Sequence, residues 1–162
     1  IEMDSITAKK ASDQAKVTAE KLFLADATTK DEKLQMLTAI EAAIFLLGRQ
    51  AAPIQIARLH CLAAKCFLKI QEYGMALWHS QLCEFQAKAA SDRRLIDEIF
   101  SLDVLGRSQY LRGQIEKSRD SLRHANALLE KLEVSAEVDQ YRTYIKILEK
   151  AGLPMREMES AL

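Results

Sequence analysis

Apolar residues recur at steps of three and four along almost the whole chain, the spacing that gathers them on one face of an α-helix. Between Ser5 and Ala25 the stripe is Ala8, Ala11, Ala15, Thr18, Ala19 and Leu22, small residues that would let a neighbouring helix come close. Thr28-Thr29-Lys30-Asp31 interrupts it with N-cap chemistry. Leu34, Leu37, Ile40, Ala43, Ile44 and Leu47 then mark a second helix over about Lys33–Leu47, with Gly48 as its stop. Pro53 suits the first turn of a third helix, which runs to Ile70. After a turn at Gln71-Glu72-Tyr73-Gly74 a fourth spans Met75 to about Ala89. Ser91-Asp92 caps a fifth, Arg93–Leu111, which ends at Gly113. A sixth covers Glu116–Leu132, and a seventh about Ala136–Lys150, closed by Gly152 and Pro154. Seven helices, short turns and no strand pattern predict an all-α protein.

Composition narrows the partners. The chain has 162 residues, enough for one domain with a core of its own. Its 23 Lys and Arg balance 23 Asp and Glu, so it lacks the surplus positive charge of a nucleic-acid or anionic-membrane binder. At 49% hydrophobic residues it is not a disordered composition, and 5 Gly with 2 Pro are too few to punctuate a many-stranded sheet. Cys61, Cys66 and Cys83 are odd in number and lie in helical stretches, which argues for a reducing compartment. No apolar run approaches the ~20 residues that span a bilayer. The expectation is a cytoplasmic or nuclear protein with no membrane insertion.

Two stretches repeat. Ala63 and Leu105, Ala76 and Ser118, and Cys83 and Ala125 are each separated by 42 positions. Ala64/Gly106, Ala76/Ser118 and Cys83/Ala125 put small residues where two antiparallel helices must cross closely, and bulky residues fall between them. Such a repeat separates a solenoid from a closed bundle. The division is a degenerate unit over about 5–48, units over about 53–90 and 93–132, and a partial unit or cap over about 136–162.

Leu105-Gly106, Tyr110, Gly113, Leu122 and Ala125, with Ala63-Ala64, Phe67, Tyr73, Ala76 and Cys83 as a looser copy, resemble the tetratricopeptide repeat (TPR). The common TPR period is ~34 residues, so a 42-residue step is similar to the long-repeat scaffolds of the Pins-like spindle-orientation adaptors, rapsyn and the kinesin light chains. The resemblance implies an antiparallel helix-hairpin solenoid, a TPR-like superhelix over 1–162, with the first helix of each unit lining a concave groove.

On that alignment Lys65, Arg107 and Lys146 occupy one inward position, with Cys61, Asp103 and Arg142 one turn earlier. Leu68 or Lys69, Tyr110 or Leu111, and Glu149 lie one turn later. A column of cations would attract carboxylates of an extended or helical segment of another protein; the same residues would also suit a solvated helix face. The candidates for the peptide groove are Lys65, Leu68, Lys69, Asp103, Arg107, Tyr110, Leu111, Arg142 and Lys146. The alternative is a structural segment of a larger assembly, self-associating through its repeat ends.

Other chemistry finds little purchase. His79 and Cys83, four apart, could chelate from one helix face, but Cys83 holds a small-residue packing position and no second pair is near. His60 and His124 have no evident partners. Trp78 suits packing against a neighbouring unit or an exposed anchor. No nucleophile elbow, phosphate loop or dinucleotide fingerprint occurs. The expectation is a non-enzymatic adaptor with neither cofactor nor metal.

Overall fold

The computed structural model describes residues 4–25, 29–48, 51–132, 136–153 and 158. These form seven helices and no strand: α1 Ser5–Leu24, α2 Lys30–Leu47, α3 Pro53–Lys69, α4 Tyr73–Ala89, α5 Leu95–Leu111, α6 Ile115–Lys131 and α7 Ala136–Lys150. Their starts follow local capping. The Thr29 hydroxyl accepts the Glu32 N–H at 3.2 Å and donates to Glu32 Oε1 at 2.8 Å, so α2 begins three residues earlier than the apolar pattern suggests. Helix α5 begins two residues later than expected, because Asp97 Oδ2 takes the Arg94 N–H at 2.9 Å; the capping expected of Ser91-Asp92 is not what starts it. Pro154, expected to close α7, lies outside the described residues.

The helices pair in order as α1–α2, α3–α4 and α5–α6 hairpins, and the hairpins pack side by side through α2–α3 and α4–α5. Close crossings depend on small residues. A Cβ on Gly106 would come within 2.6 Å of Leu122 Cγ, so α5 and α6 approach at a distance that only glycine permits. Ser118, also at that crossing, donates to Gly106 O at 2.7 Å. In the α3–α4 hairpin Ala64 and Ala76, 42 residues earlier, are fully buried.

The ends of α3, α5 and α7 share one device. The N–H groups of Glu72, Gln114 and Leu153 reach back to the carbonyls of Phe67, Gln109 and Leu148 at 2.9, 2.8 and 3.0 Å. Each bond brackets a left-handed residue: Gln71 (φ 66°), Gly113 (φ 82°) or Gly152 (φ 86°). This is a Schellman ending, which satisfies otherwise orphaned carbonyls.

Helices α1, α3 and α5 come together on one side, here called the inner face. Helix α7 lies over this face, not stacked on α6 as the next repeat would be: its backbone approaches α3, while Tyr144 meets the rings of Phe23 in α1 and Phe100 in α5. Glu137 pairs with Arg94 near the start of α5, and Leu153 O accepts from Arg107 farther along it, so α7 runs in the same direction as α5. The stripe that buries α7 is Val138, Tyr141, Tyr144 and Leu148.

Candidate functional site

A trough remains between α1 and α7, floored by α3. Its first chamber, about 550 Å3, is walled by Lys16 and Phe23 of α1, Arg58, Cys61 and Lys65 of α3, Asp97 and Phe100 of α5, and Thr143 and Tyr144 of α7. A second, about 710 Å3, is bordered by Lys33 and Met36 of α2, Lys69 and Ile70 at the end of α3, and Lys146 and Lys150 of α7. Leu24 and Thr143 border both, which makes them neighbours along one depression.

Lys65 is the distinctive group of the first chamber. Its ammonium lies 3.6 Å from the Phe100 ring centroid and 4.6 Å from that of Tyr144, a doubly favourable cation–π position. Among the described residues it pairs with no carboxylate. Its neighbours are committed: Arg58 grips Asp97 bidentately, Nε–Oδ1 at 3.0 Å and Nη2–Oδ2 at 2.9 Å. Burial works to raise the Asp97 carboxyl, but Arg58 and the Arg94 N–H outweigh it and hold the group below the ordinary range. The Tyr144 hydroxyl, also on this wall, is buried near the Asp103 carboxylate and has no hydrogen bond of good geometry among the described residues.

Two thiols share the wall. Cys61 lies beside Cys83, and the proximity of the two thiols lowers the Cys61 pKa, with help from Lys65, and raises that of Cys83. Cys66, in contrast, is pushed up to about 12 by burial and is inert.

The expected groove residues separate into three groups. Lys65 borders the first chamber, and Lys69 and Lys146 meet at the second. Lys69 also donates to Phe23 O at 2.6 Å and Ala25 O at 2.7 Å, closing the C-terminal turn of α1. Asp103, Arg107 and Leu68 are fully buried. Arg107 Nε binds Asp103 Oδ2 at 2.9 Å, its Nη1 reaches Leu153 O at 3.3 Å, and Asp103 Oδ1 accepts from the Tyr141 hydroxyl at 3.1 Å. The pair does face inward, as the 42-residue register implies, but α7 and the turn after it cover it. Arg107 is therefore a structural cation rather than a groove contact. Arg142 is exposed outside both chambers, and Tyr110 and Leu111 are half-buried at the end of α5. The column linking Lys65, Arg107 and Lys146 breaks at α7, because α7 is not stacked in register.

Several participants carried no sequence signal. Arg58 and Asp97 are 39 apart, off the repeat step, and meet only through the α3–α5 contact. Lys33 and Lys150 come from the degenerate first unit and the last helix. His60, expected to be without a partner, and His79, weighed only with Cys83, face each other with Nδ1 atoms 3.0 Å apart, and Phe67 stacks on His79. No cluster of three or more His, Cys, Asp or Glu among the described residues could hold a metal. None of the described helices is long and apolar enough to cross a membrane. No protein-family model, curated protein or solved structure matches the chain.

Proposed function

We propose that this chain is a protein-interaction adaptor, a long-repeat TPR-like module of the cytoplasm or nucleus, which holds an acidic segment of a partner in the trough above α3. One observation carries the reading: Lys65 stands on the trough wall with aromatic rings beneath it and no carboxylate partner among the described residues. An incoming Asp or Glu would supply the counter-charge, and the lysines of the second chamber would extend the attraction along the segment. The faces of α1, α3 and α5 that line the trough are already packed against one another, which leaves much of the ordering cost with the ligand.

Fluorescence polarisation with acidic, neutral and basic peptides of equal length and apolar content tests this. The acidic peptide should bind, with affinity falling as salt rises. Lys65→Met, which keeps the apolar stem over Phe100, should weaken it roughly tenfold, the equivalent of about 1.4 kcal/mol, while the lost cation–π contact lowers Tm only slightly. Equal binding of all three peptides would sink the reading.

A second reading, a structural segment within a larger assembly, has its own observation. Phe45 of α2 and Trp78 and Phe85 of α4 are exposed on the outer helices, at 84, 53 and 70%. Trp78 touches His79 edge-on yet keeps half its surface free. A chain that ignores all three peptides but self-associates through these residues belongs to that reading.

A further inference from the structure

We infer that α7 is an exchangeable occupant of the inner face, held in the place where an amphipathic helix of the partner docks. The inference rests on the adaptor reading for the identity of the site, and its test needs no partner.

Each of the other six helices is half of an antiparallel hairpin, whereas α7 has no such mate among the described residues. It is seated as a ligand helix is seated in a groove, by one stripe of side chains at helical spacing. Tyr141, Tyr144 and Leu148 point into the face made by α1, α3 and α5, with Tyr144 against Phe23, Phe100 and the Lys65 ammonium. Polar contacts fix its register at both ends. Arg94 Nη1 holds Glu137 Oε1 at 2.9 Å, Tyr141 donates to Asp103, and Arg107 donates to Leu153 O.

The fit is imperfect in two places, and both lie at the trough. The Tyr144 hydroxyl is buried near the Asp103 carboxylate, whose Oδ1 is already taken by Tyr141, and has no hydrogen bond of good geometry among the described residues, which weakens the docking of the helix that brings it. Lys65, beneath the same ring, receives no carboxylate from α7. A better occupant follows from these defects. It is an amphipathic helix with aromatic residues at i and i+3 and Leu at i+7. The first aromatic carries a donor for Asp103, the second is Phe rather than Tyr, and an acidic side chain reaches Lys65. Such a helix would take the place of α7, so the free chain would be self-occluded and the adaptor's affinity set by competition within the molecule.

A labelled synthetic peptide of residues 136–153, titrated into the full chain, tests the exchange. Wild-type chain should bind it poorly, and a full chain carrying Tyr141→Ala and Leu148→Ala should bind it at least tenfold tighter. A peptide with Tyr144→Phe should bind the opened chain roughly threefold tighter again. In the wild-type chain, α7 amides should exchange hydrogen at least a hundredfold faster than those of α3, and Tyr144→Phe within the chain should slow them. An opened chain that keeps its helicity but ignores the peptide overturns the inference. So does exchange in α7 as slow as in α3, which remains measurable if the double variant fails to fold. Loss of acidic-peptide binding in Lys65→Met reports on the adaptor reading alone, so the two can fail separately.

Discussion

The α3–α4 and α5–α6 hairpins are built alike and finished differently. Both cross on small residues, both inner helices end in a left-handed turn, and the Ser80 and Ser108 hydroxyls meet at the seam between them, 3.2 Å apart. They diverge at equivalent inner positions. Cys61 and Lys65 of α3 border the open trough, while Asp103 and Arg107, 42 residues on, form an ion pair sealed beneath α7. A repeat dictates where a side chain points. What is laid over that point decides whether the side chain is a binding group or a structural one.

The largest expected effect breaks this contrast at its buried end. Asp103→Ala would strand the Arg107 guanidinium, which is wholly buried, and breaking such a pair costs about 3–5 kcal/mol. The equivalent change in the first hairpin, Cys61→Ala, removes one sulfur from the edge of a cavity and should cost about 1 kcal/mol. Urea unfolding of the two variants measures the difference. Similar costs would mean that the two inner positions play the same role despite their different covers.

A smaller effect sharpens the contrast inside the hairpins. The α3–α4 seam holds His60 against His79, whereas the equivalent positions of the other hairpin are Leu102 and Ser121. At 3.0 Å one ring donates a proton from Nδ1 and the other lends a lone pair, so the two rings cannot both be charged as built. Burial, and then the neighbouring His60, push the His79 pKa down to about 4, and burial lowers that of His60 too. The unfolded chain takes up protons from about pH 6.5 downward while the folded pair resists, so stability is full above that pH and falls as pH drops towards 4. Glu41 Oε1, 3.7 Å from His79 Nε2, offsets part of the cost of a charge there. The melting temperature should fall by about 3 °C between pH 7.5 and 5.5. A chain with His60→Leu and His79→Ser, borrowing the other hairpin's residues, should lose most of that drop; an unchanged drop would place its origin elsewhere.

The seven helices and their offset were legible because both rest on local chemistry: small residues at crossings, apolar stripes, and turns marked by Gly113 and Gly152. Helix starts were less legible, since Asp97 caps α5 from inside the helix, where a cap and an ordinary surface acid read alike. Lys65 could be picked out because α3 keeps the inward register. Arg107 could not be read correctly, because its burial depends on a helix folding back over the inner face, and an aromatic stripe at helical spacing is the same whether its helix stacks or folds back. The second chamber combines lysines of α2, α3 and α7 that no repeat step connects.

The smallest effect concerns the turn that the two hairpins share. At the end of α5 the left-handed position is Gly113; at the end of α3 it is Gln71, with φ 66°. A side chain there brings its Cβ too near the backbone carbonyl, a cost that glycine avoids. Gln71→Gly should therefore stabilise the chain, by about 0.5–1 kcal/mol, with part of the gain returned through the freer unfolded state. Gln71→Ala separates conformation from side-chain contact, since it keeps the Cβ but removes the amide that approaches Gly152. If Gly stabilises and Ala does not in urea titrations of equal slope, the strain lies in the backbone. The first hairpin then pays a small conformational penalty that the second escapes. If both substitutions destabilise alike, the Gln71 amide is a contact between the end of α3 and the end of α7, and the turn belongs to the seating of α7 as much as to the hairpin.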